Sequence, residues 1–236
     1  MVYFDKKEEN KAMKMDIHKN DIAILGAGGH ARDLLWLIEN INSHRKPKDQ
    51  WNVIGFFERG IQEIEQMCDY PVFPEEELWT LGKVAVAVGV GVSTARKKAV
   101  EKLRERNPLV TFPILISPDA FYSRLAVFGE GTVVFPGTML MGGSVQIGDF
   151  SVIHISSTIG HDSVLGKFCQ VNPGCNVSGC CVLGECIQIG TGVRILPKIT
   201  IEDYAIIGAG AVVTKNLPKR STAVGIPAKV IKIAEE

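Results

Sequence analysis

A histidine followed by an acid, His161-Asp162, is the pair in this sequence best suited to proton transfer. A neutral imidazole is the natural base near pH 7, and a neighbouring carboxylate can fix its tautomer and stabilise the imidazolium. Gly179 lies further along the chain, and a glycine there would let a backbone N–H approach a reacting carbonyl closely. The same residues also fit an exposed surface histidine and a plain turn glycine, so the pattern alone leaves both interpretations open.

A glycine-rich loop, Gly26–Ala31, follows a short apolar run and precedes a helical pattern. Backbone N–H groups at a helix N-terminus bind phosphates, so this loop predicts a phosphate site. It also fits the start of a dinucleotide site, in which an acid at the end of the second strand is expected about 20 residues later. Glu58, which ends the second predicted strand, lies well beyond that distance from Gly28. No catalytic pattern of a nicotinamide-dependent dehydrogenase accompanies the loop.

The elements that must position these groups include a six-residue repeat from Phe135 to Val212. First positions are large and apolar (Phe135, Met141, Ile147 and every sixth residue to Ile207), and fifth positions are small or apolar (Met139, Val145, Ser151 and every sixth residue to Ala211). Both are predicted to face one interior, and second-position glycines to turn corners at positive φ. Such short repeats must stack on copies of themselves. Three of them form one coil of a parallel β-helix, which makes His161 and Gly179 neighbours in adjacent coils.

The rest of the chain divides into a lead-in at 1–20, an α/β unit at 21–116 and the repeat region with its C-terminal tail at 117–236. Alternating strand and helix patterns in 21–116 predict a small parallel, Rossmann-like sheet. The predicted strands are Ile22–Leu25, Val53–Phe57, Val84–Val88 and Leu109–Ile114, and the predicted helices are Ala31–Ile41, Pro74–Leu81 and Ser93–Arg106.

Composition narrows the possible partners and compartments. The 26 basic and 26 acidic residues balance, which argues against a nucleic-acid-binding protein. No apolar run approaches the roughly 18 residues of a membrane span, and the first residues lack a signal-like core, so we expect a soluble, cytoplasmic protein.

Of the six cysteines, Cys169, Cys175 and Cys181 occupy fifth positions. Their spacing predicts structural thiols and neither disulfides nor a metal site.

Three segments carry a family resemblance: LGAGGHARDL, TIGHDSVLGKF and GAGAVVTKNLPKRSTAVGIPAKVIK. Together they resemble the sugar acyltransferases of the PglD/NeuD type, over about residues 21–233. The resemblance implies that the β-helix is left-handed. It also implies a homotrimer, with the thioester of acetyl-CoA bound between neighbouring subunits.

The resemblance further implies a role for each matching residue. His161 would be the general base, with Asp162 orienting it. The Gly179 amide would contact the acetyl group, and Gln170 replaces a second histidine that many members carry. His154 takes a position usually held by glycine, so it is predicted as a corner residue at positive φ and, second, as a substrate contact. The remaining implied contacts are Ala209 and Gly210 to pantetheine, Lys229 to the adenosine end of coenzyme A, and Gly26, Gly28, Gly29, His30 and Glu58 to the nucleotide.

The function implied by this resemblance is transfer of an acetyl group from acetyl-CoA to the amino group of a nucleotide-linked 4-amino-deoxy sugar, as in glycan and polysaccharide biosynthesis. The nucleotide could be UDP, GDP or dTDP. The same base could instead serve O-acetylation of sialic acid or another sugar hydroxyl. A third hypothesis, from another class, is a non-catalytic scaffold that binds a nucleotide sugar.

Overall fold

The computed structural model describes residues 17–61 and 65–235, so most of the predicted lead-in lies outside the described residues. The elements of the N-terminal unit are β1 (Asp21–Leu25), α1 (Gly29–Ser43), a 3₁₀ turn (Pro47–Asp49), β2 (Asn52–Glu58), β3 (Glu65–Met67), β4 (Tyr70–Pro74), a 3₁₀ turn (Glu75–Trp79), β5 (Ala85–Val88) and α2 (Ser93–Arg106). Its strands form a five-stranded sheet of order β3-β4-β2-β1-β5, parallel except for β3. Neither described helix is long and apolar enough to cross a membrane.

Most predicted elements of this unit are present, and the differences have local causes. The strand predicted at Leu109–Ile114 is wrong, because Thr111 alone forms a bridge there, to Ala85. The helix predicted at Pro74–Leu81 is a 3₁₀ turn. The β3–β4 hairpin was not predicted, and its turn places Cys68 and Asp69 at positive φ without a glycine.

The repeat region is a parallel β-helix whose three sheets form the faces of a triangular prism. Face 1 contains β6 (Leu115–Ile116), β9 (Val133–Val134), β12 (Val152–Ile153), β15 (Gln170–Val171), β18 (Gln188–Ile189), β21 (Ile206–Ile207), β23 (Ser221–Val224) and the antiparallel β24 (Lys229–Ile233). Face 2 contains β7 (Phe121–Tyr122), β10 (Met139–Leu140), β13 (Thr158–Ile159), β16 (Asn176–Val177), β19 (Arg194–Ile195) and β22 (Val212–Val213). Face 3 contains β8 (Val127–Phe128), β11 (Gln146–Ile147), β14 (Val164–Leu165), β17 (Val182–Leu183) and β20 (Thr200–Ile201).

The predicted six-residue register is wrong for its first two repeats. Leu140 pairs with Ile159, and Ile147 pairs with Leu165. Only the second of these pairings spans three whole repeats, so the turn between β10 and β11 holds one extra residue. Gly142–Gly143 lies in that turn with both residues at positive φ, and the chain therefore accommodates the insertion where no side chain opposes it.

This slip changes which side chains face the coil interior. Val134 and Leu140 belong to the coil core, in place of the predicted Phe135 and Met141. Met139 and Met141 are 44% and 55% exposed. Phe135 is buried, but it packs in the cluster between face 1 and the N-terminal unit. A shift of one residue moves every side chain to the opposite side of a strand.

The second-position glycines are needed for a different reason from the one predicted. Positive φ recurs at fourth positions of the repeats, as at Phe150 and Phe168. At second positions the coils stack closely: a methyl group on Gly148 would lie 2.6 Å from the backbone carbon of Gly166. Close approach of successive coils, rather than φ, therefore excludes side chains there.

From Val145 onward the fifth-position side chains face inward, as predicted, and the serines among them form hydrogen bonds with the backbone of the next coil. The hydroxyl of Ser151 donates to the carbonyl of Gly166 at 2.8 Å and accepts the N–H of Cys169 at 2.9 Å. Cys169, Cys175 and Cys181 are fully buried one coil further on. Burial raises the pKa of the Cys169 thiol to about 12, which makes it an unreactive packing residue.

Candidate active site

His161 and Asp162 lie on the second edge of the prism, defined as the edge between faces 2 and 3. Nδ1 of His161 is 2.9 Å from Oδ2 of Asp162, and the N–H of Ser144 donates to the other carboxylate oxygen at 3.2 Å. The hydrogen bond from His161, followed by the one from Ser144, lowers the pKa of Asp162. An ionised Asp162 holds the proton on Nδ1, which leaves the lone pair of the histidine on Nε2.

Gly179 lies directly beneath the imidazole in the adjacent coil. A methyl group added to Gly179 would lie 2.6 Å from Nε2 of His161, so only glycine allows this approach. Within the described part of the chain the N–H of Gly179 donates no hydrogen bond. The base nitrogen and an available backbone donor thus lie at the same corner, the arrangement needed to deprotonate a nucleophile and stabilise an oxyanion.

Gly179→Ala should lower turnover by about 10–100-fold, because the new methyl group displaces a base whose effect depends on its position. Its melting temperature should stay near that of the wild type, since the displaced atoms are the free end of a side chain. Gly160→Ala is the matched control: its methyl group meets the backbone of Gly179 instead. That variant should lose thermal stability, measured by circular dichroism. Equal losses of thermal stability in Gly179→Ala and Gly160→Ala would show that the methyl group at position 179 does more than displace the His161 side chain.

The glycine-rich loop connects β1 to α1 at the carboxyl ends of the parallel strands. Gly26 has φ of 101°, and its N–H donates to the carbonyl of Phe57 at 2.7 Å. Added methyl groups on Gly28 or Gly29 would meet nothing within 4 Å, so both face open space. Glu58 accepts hydrogen bonds from the backbone N–H groups of Ala27 at 2.6 Å and Arg59 at 2.9 Å, which ties β2 to the loop.

Two cavities meet at this loop. The first, about 670 Å³, lies between the N-terminal unit and the first edge of the prism, defined as the edge between faces 1 and 2. It is lined by Gly28, Gly29, His30, Trp36, Phe135, His154, Gln170 and Asn172, among others. The second, about 460 Å³, is lined by Gly26, Gly28, Glu58, Arg59, Lys98 and Lys102, among others. The structure therefore brings the predicted nucleotide-binding residues Gly26, Gly28, Gly29, His30 and Glu58 to adjoining cavities.

His154 and His30 come together in the first cavity. The His154 ring stacks on Phe135 at 4.6 Å between centroids and lies 5.3 Å from the ring of His30. The positive φ predicted for His154 is wrong. Its position instead depends on stacking against Phe135, the residue that the register slip moves out of the coil core.

Both ring nitrogens of His30, which lines this cavity, are buried and have no hydrogen-bond partner among the described residues. Burial, followed by the neighbouring His154 and Arg96, lowers the pKa of His30 to about 3. The ring is therefore neutral at pH 7, with one nitrogen that can donate a hydrogen bond and one that can accept.

The depressed pKa of His30 predicts acid-sensitive stability. Below about pH 6.5 the unfolded chain binds a proton on His30, whereas the folded protein binds it only below about pH 3. The free energy of unfolding therefore decreases as the pH falls from about 6.5 to about 3. Between pH 7 and pH 5 the wild type should lose about 2 kcal/mol more than His30→Asn. Urea unfolding of both proteins at the two pH values measures this. An equal loss in both would show that His30 is not the responsible group.

Arg96, on α2, joins the N-terminal unit to face 1, and sequence reasoning missed it. The guanidinium, 1% exposed, donates to the carbonyls of Val90, Gly91, Phe150, Phe168 and Cys169 and to the side-chain amide oxygen of Gln170. Burial lowers its pKa to about 10, so it remains charged at pH 7. Ser93, Arg96, Val100 and Leu103 share one buried helix face. An arginine on that apolar stripe was the signal available in the sequence.

The remaining predicted contacts lie away from the His161 corner. Gln170 is buried, with Oε1 2.8 Å from Arg96, and lines the first cavity. Ala209 and Gly210 are exposed on the first edge of the prism. Lys229 is exposed at the start of β24. His161 lines neither of the two cavities, and within one chain it lies on a different edge of the prism from the first cavity.

Comparison with known proteins identifies the N-terminal unit. Residues 21–103 match the model of the PglD N-terminal domain. This unit is a PglD N-terminal domain, as the resemblance to the PglD/NeuD type predicted. The parallel sheet of this unit and the three stacked parallel sheets of the repeat region confirm the predicted fold class, an α/β unit followed by a left-handed β-helix.

Solved structures of similar architecture extend over nearly the whole chain. A mutant of perosamine N-acetyltransferase from Caulobacter crescentus, in complex with CoA and GDP-perosamine, has a TM-score of 0.81 and 25% identity, over 92% of this chain and 100% of that one. The acetyltransferase domain of PglB from Neisseria gonorrhoeae, in complex with acetyl coenzyme A, has a TM-score of 0.79 and 26% identity, over 91% and 100%.

Curated relatives match a shorter segment. Serine acetyltransferase of Bacillus pumilus is 51% identical over 41 residues, 17% of this chain and 19% of the relative. The chain spans about a fifth of the length of the first curated relatives it matches.

Proposed function

We propose that this protein transfers the acetyl group of acetyl-CoA to the amino group of a nucleotide-linked 4-amino-deoxy sugar. Two observations support the proposal. Solved structures of the same architecture include an N-acetyltransferase with CoA and GDP-perosamine and a domain with acetyl coenzyme A. In this chain, Nε2 of His161 faces the backbone of Gly179, with Asp162 holding the other ring nitrogen. The second observation carries the chemistry, because it places a base beside a backbone donor.

The proposed reaction uses these groups in order. Nε2 of His161 accepts a proton from the sugar amine as its nitrogen attacks the thioester carbonyl. The N–H of Gly179 donates to the oxyanion of the tetrahedral intermediate, and Asp162 stabilises the imidazolium. The carbon–sulfur bond then breaks, and the imidazolium returns its proton to the leaving thiolate of coenzyme A. The amide product and free coenzyme A leave, and the base is regenerated.

The nucleotide sugar is proposed to occupy the two cavities around the glycine-rich loop. The N-terminus of α1 and the amides of Gly28 and Gly29 suit a diphosphate. The neutral ring of His30 lines the first cavity beside it. Lys98 and Lys102, which line the second cavity, add positive charge.

We infer cytoplasmic localisation, because all six cysteines are free thiols and disulfides are rare in that compartment.

A complete site is proposed to need two copies of the chain. The first cavity, Ala209 and Gly210 lie along the first edge of the prism, whereas His161 and Gly179 lie along the second. Face 2 separates these edges within one chain. A homotrimer would place the first edge of one subunit against the second edge of the next, and so bring the amine to the base. The exposed apolar side chains of face 2, including Phe121 and Met139, fit such a contact.

The function is tested by release of coenzyme A thiol from acetyl-CoA with UDP-, GDP- and dTDP-linked 4-amino sugars, and with free sialic acid. We expect turnover with at least one amino sugar and an N-acetylated product by mass spectrometry. Turnover with sialic acid alone would replace the proposal with O-acetylation. Binding of the nucleotide sugars without thiol release would leave the non-catalytic scaffold as the remaining hypothesis.

The shared site is tested by coexpressing two inactive variants. His161→Ala lacks the base, and Gly29→Trp blocks the first cavity. In a randomly assembled population of trimers, about one quarter of the sites combine an intact base from one subunit with an intact cavity from the next, so activity should return to roughly that level. No recovery in mixed trimers verified by mass spectrometry would show that each chain builds its own site.

A further inference from the structure

A third reactive side chain, Cys180, joins His161 and Asp162 at the second edge of the prism. Cys180 occupies the same repeat position as Asp162, one coil later, and both have positive φ. Its N–H donates to the carbonyl of His161 at 2.8 Å, which holds the two corners in register. One imidazole nitrogen, one carboxylate oxygen and the cysteine sulfur all lie within 4.8 Å of one another.

These three donors are the ligand types that zinc selects. Zinc binds cysteine sulfur at about 2.3 Å and histidine nitrogen or carboxylate oxygen at about 2.0–2.2 Å, usually in a tetrahedron. Neighbouring ligand atoms in such a tetrahedron are about 3.3–3.8 Å apart. The side chains of His161 and Asp162 are 62% and 56% exposed, so rotation can close the remaining distance. The corner backbones stay in place because the coil hydrogen bonds hold them.

We propose that His161, Asp162 and Cys180 form a site for zinc or a similar thiophilic divalent cation, and that occupation of this site inhibits the protein. The cation displaces the thiol proton of Cys180 to solvent and bonds to the imidazole and the carboxylate. Water completes the fourth position. The metal site rests on the three side chains alone; its inhibitory effect rests on the proposed function, since a metal-bound His161 no longer accepts the proton of the amine.

Cobalt titration of the full-length protein tests the site without any assay of activity. Co²⁺ bound to a thiolate gives a sulfur-to-metal charge-transfer band in the near ultraviolet, and competition with Zn²⁺ gives the zinc affinity. We expect one Co²⁺ per chain with this band. Cys180→Ser should lose the band and bind zinc at least about tenfold more weakly. Cys68→Ser, which changes an exposed cysteine on the β3–β4 turn, is the matched control and should keep both.

A band that persists in Cys180→Ser, or that disappears in Cys68→Ser, would overturn the assignment. Inhibition is measured in parallel, as the Zn²⁺ concentration that halves thiol release relative to each variant's own uninhibited rate. This concentration should rise at least about tenfold in Cys180→Ser and stay constant in Cys68→Ser. Equal inhibition of Cys180→Ser and the wild type would refute the inhibitory role. If the wild type releases thiol at a normal rate but shows no cobalt band, the metal site alone is refuted. If the wild type shows the band but releases no thiol, the proposed transferase activity is refuted.

Discussion

Replacing His161 with alanine should lower the turnover of acetyl transfer by about 10²–10⁴-fold, the usual contribution of a positioned acid–base group. Nε2 of this residue faces Gly179, and Nδ1 is held by Asp162, so the imidazole is oriented to accept the proton of the attacking amine. The affinity for acetyl-CoA should barely change, because the proposed partner of the ring is the acceptor. Steady-state thiol release and calorimetric binding of acetyl-CoA measure the two quantities.

Two controls separate proton transfer from general damage at this corner. Asp162→Asn should lose less turnover than His161→Ala, since Asp162 orients and stabilises the ring without receiving the substrate proton. Both variants should keep a melting temperature near that of the wild type, because the side chains of His161 and Asp162 are exposed. An alanine variant with wild-type turnover on the true acceptor would eliminate His161 as the base.

Arg96→Ala should destabilise the protein by about 3–5 kcal/mol, because several buried carbonyl groups lose their donor and a cavity forms at the contact between α2 and face 1. The guanidinium reaches both the N-terminal unit, at Val90 and Gly91, and the coil, at Phe150 and Phe168. Urea unfolding should show the loss. Affinity for the nucleotide sugar should fall with it, since these contacts hold the first cavity together.

Two further variants test whether hydrogen bonds or packing account for this effect. Arg96→Met keeps most of the side-chain volume but donates no hydrogen bond, so it should also destabilise strongly. Full stability in Arg96→Met would assign the role to packing. Lys98→Ala, an exposed residue on the same helix, is the matched control and should change the free energy of unfolding by less than about 0.5 kcal/mol.

The residue pattern predicted the architecture because its signals are short-range and repeated. The coil register is correct from Ile147 onward, where every coil spans three whole repeats and apolar side chains recur. Helix α2 is present with the predicted bounds, Ser93–Arg106. The proximity of His161 and Gly179 also follows from the repeat length, since three six-residue repeats return the chain to the same edge one coil later.

Other features depend on contacts between segments that are distant in the chain. The sequence by itself determined the β-helix, the α/β unit and the His161–Asp162–Gly179 corner, since each of these follows from local periodicity. Only the tertiary structure decided that Phe135 leaves the coil core to support His154, and that Arg96 joins the two units through carbonyl groups. Backbone carbonyls are present at every residue, so no pattern of side chains marks which of them a buried arginine will reach.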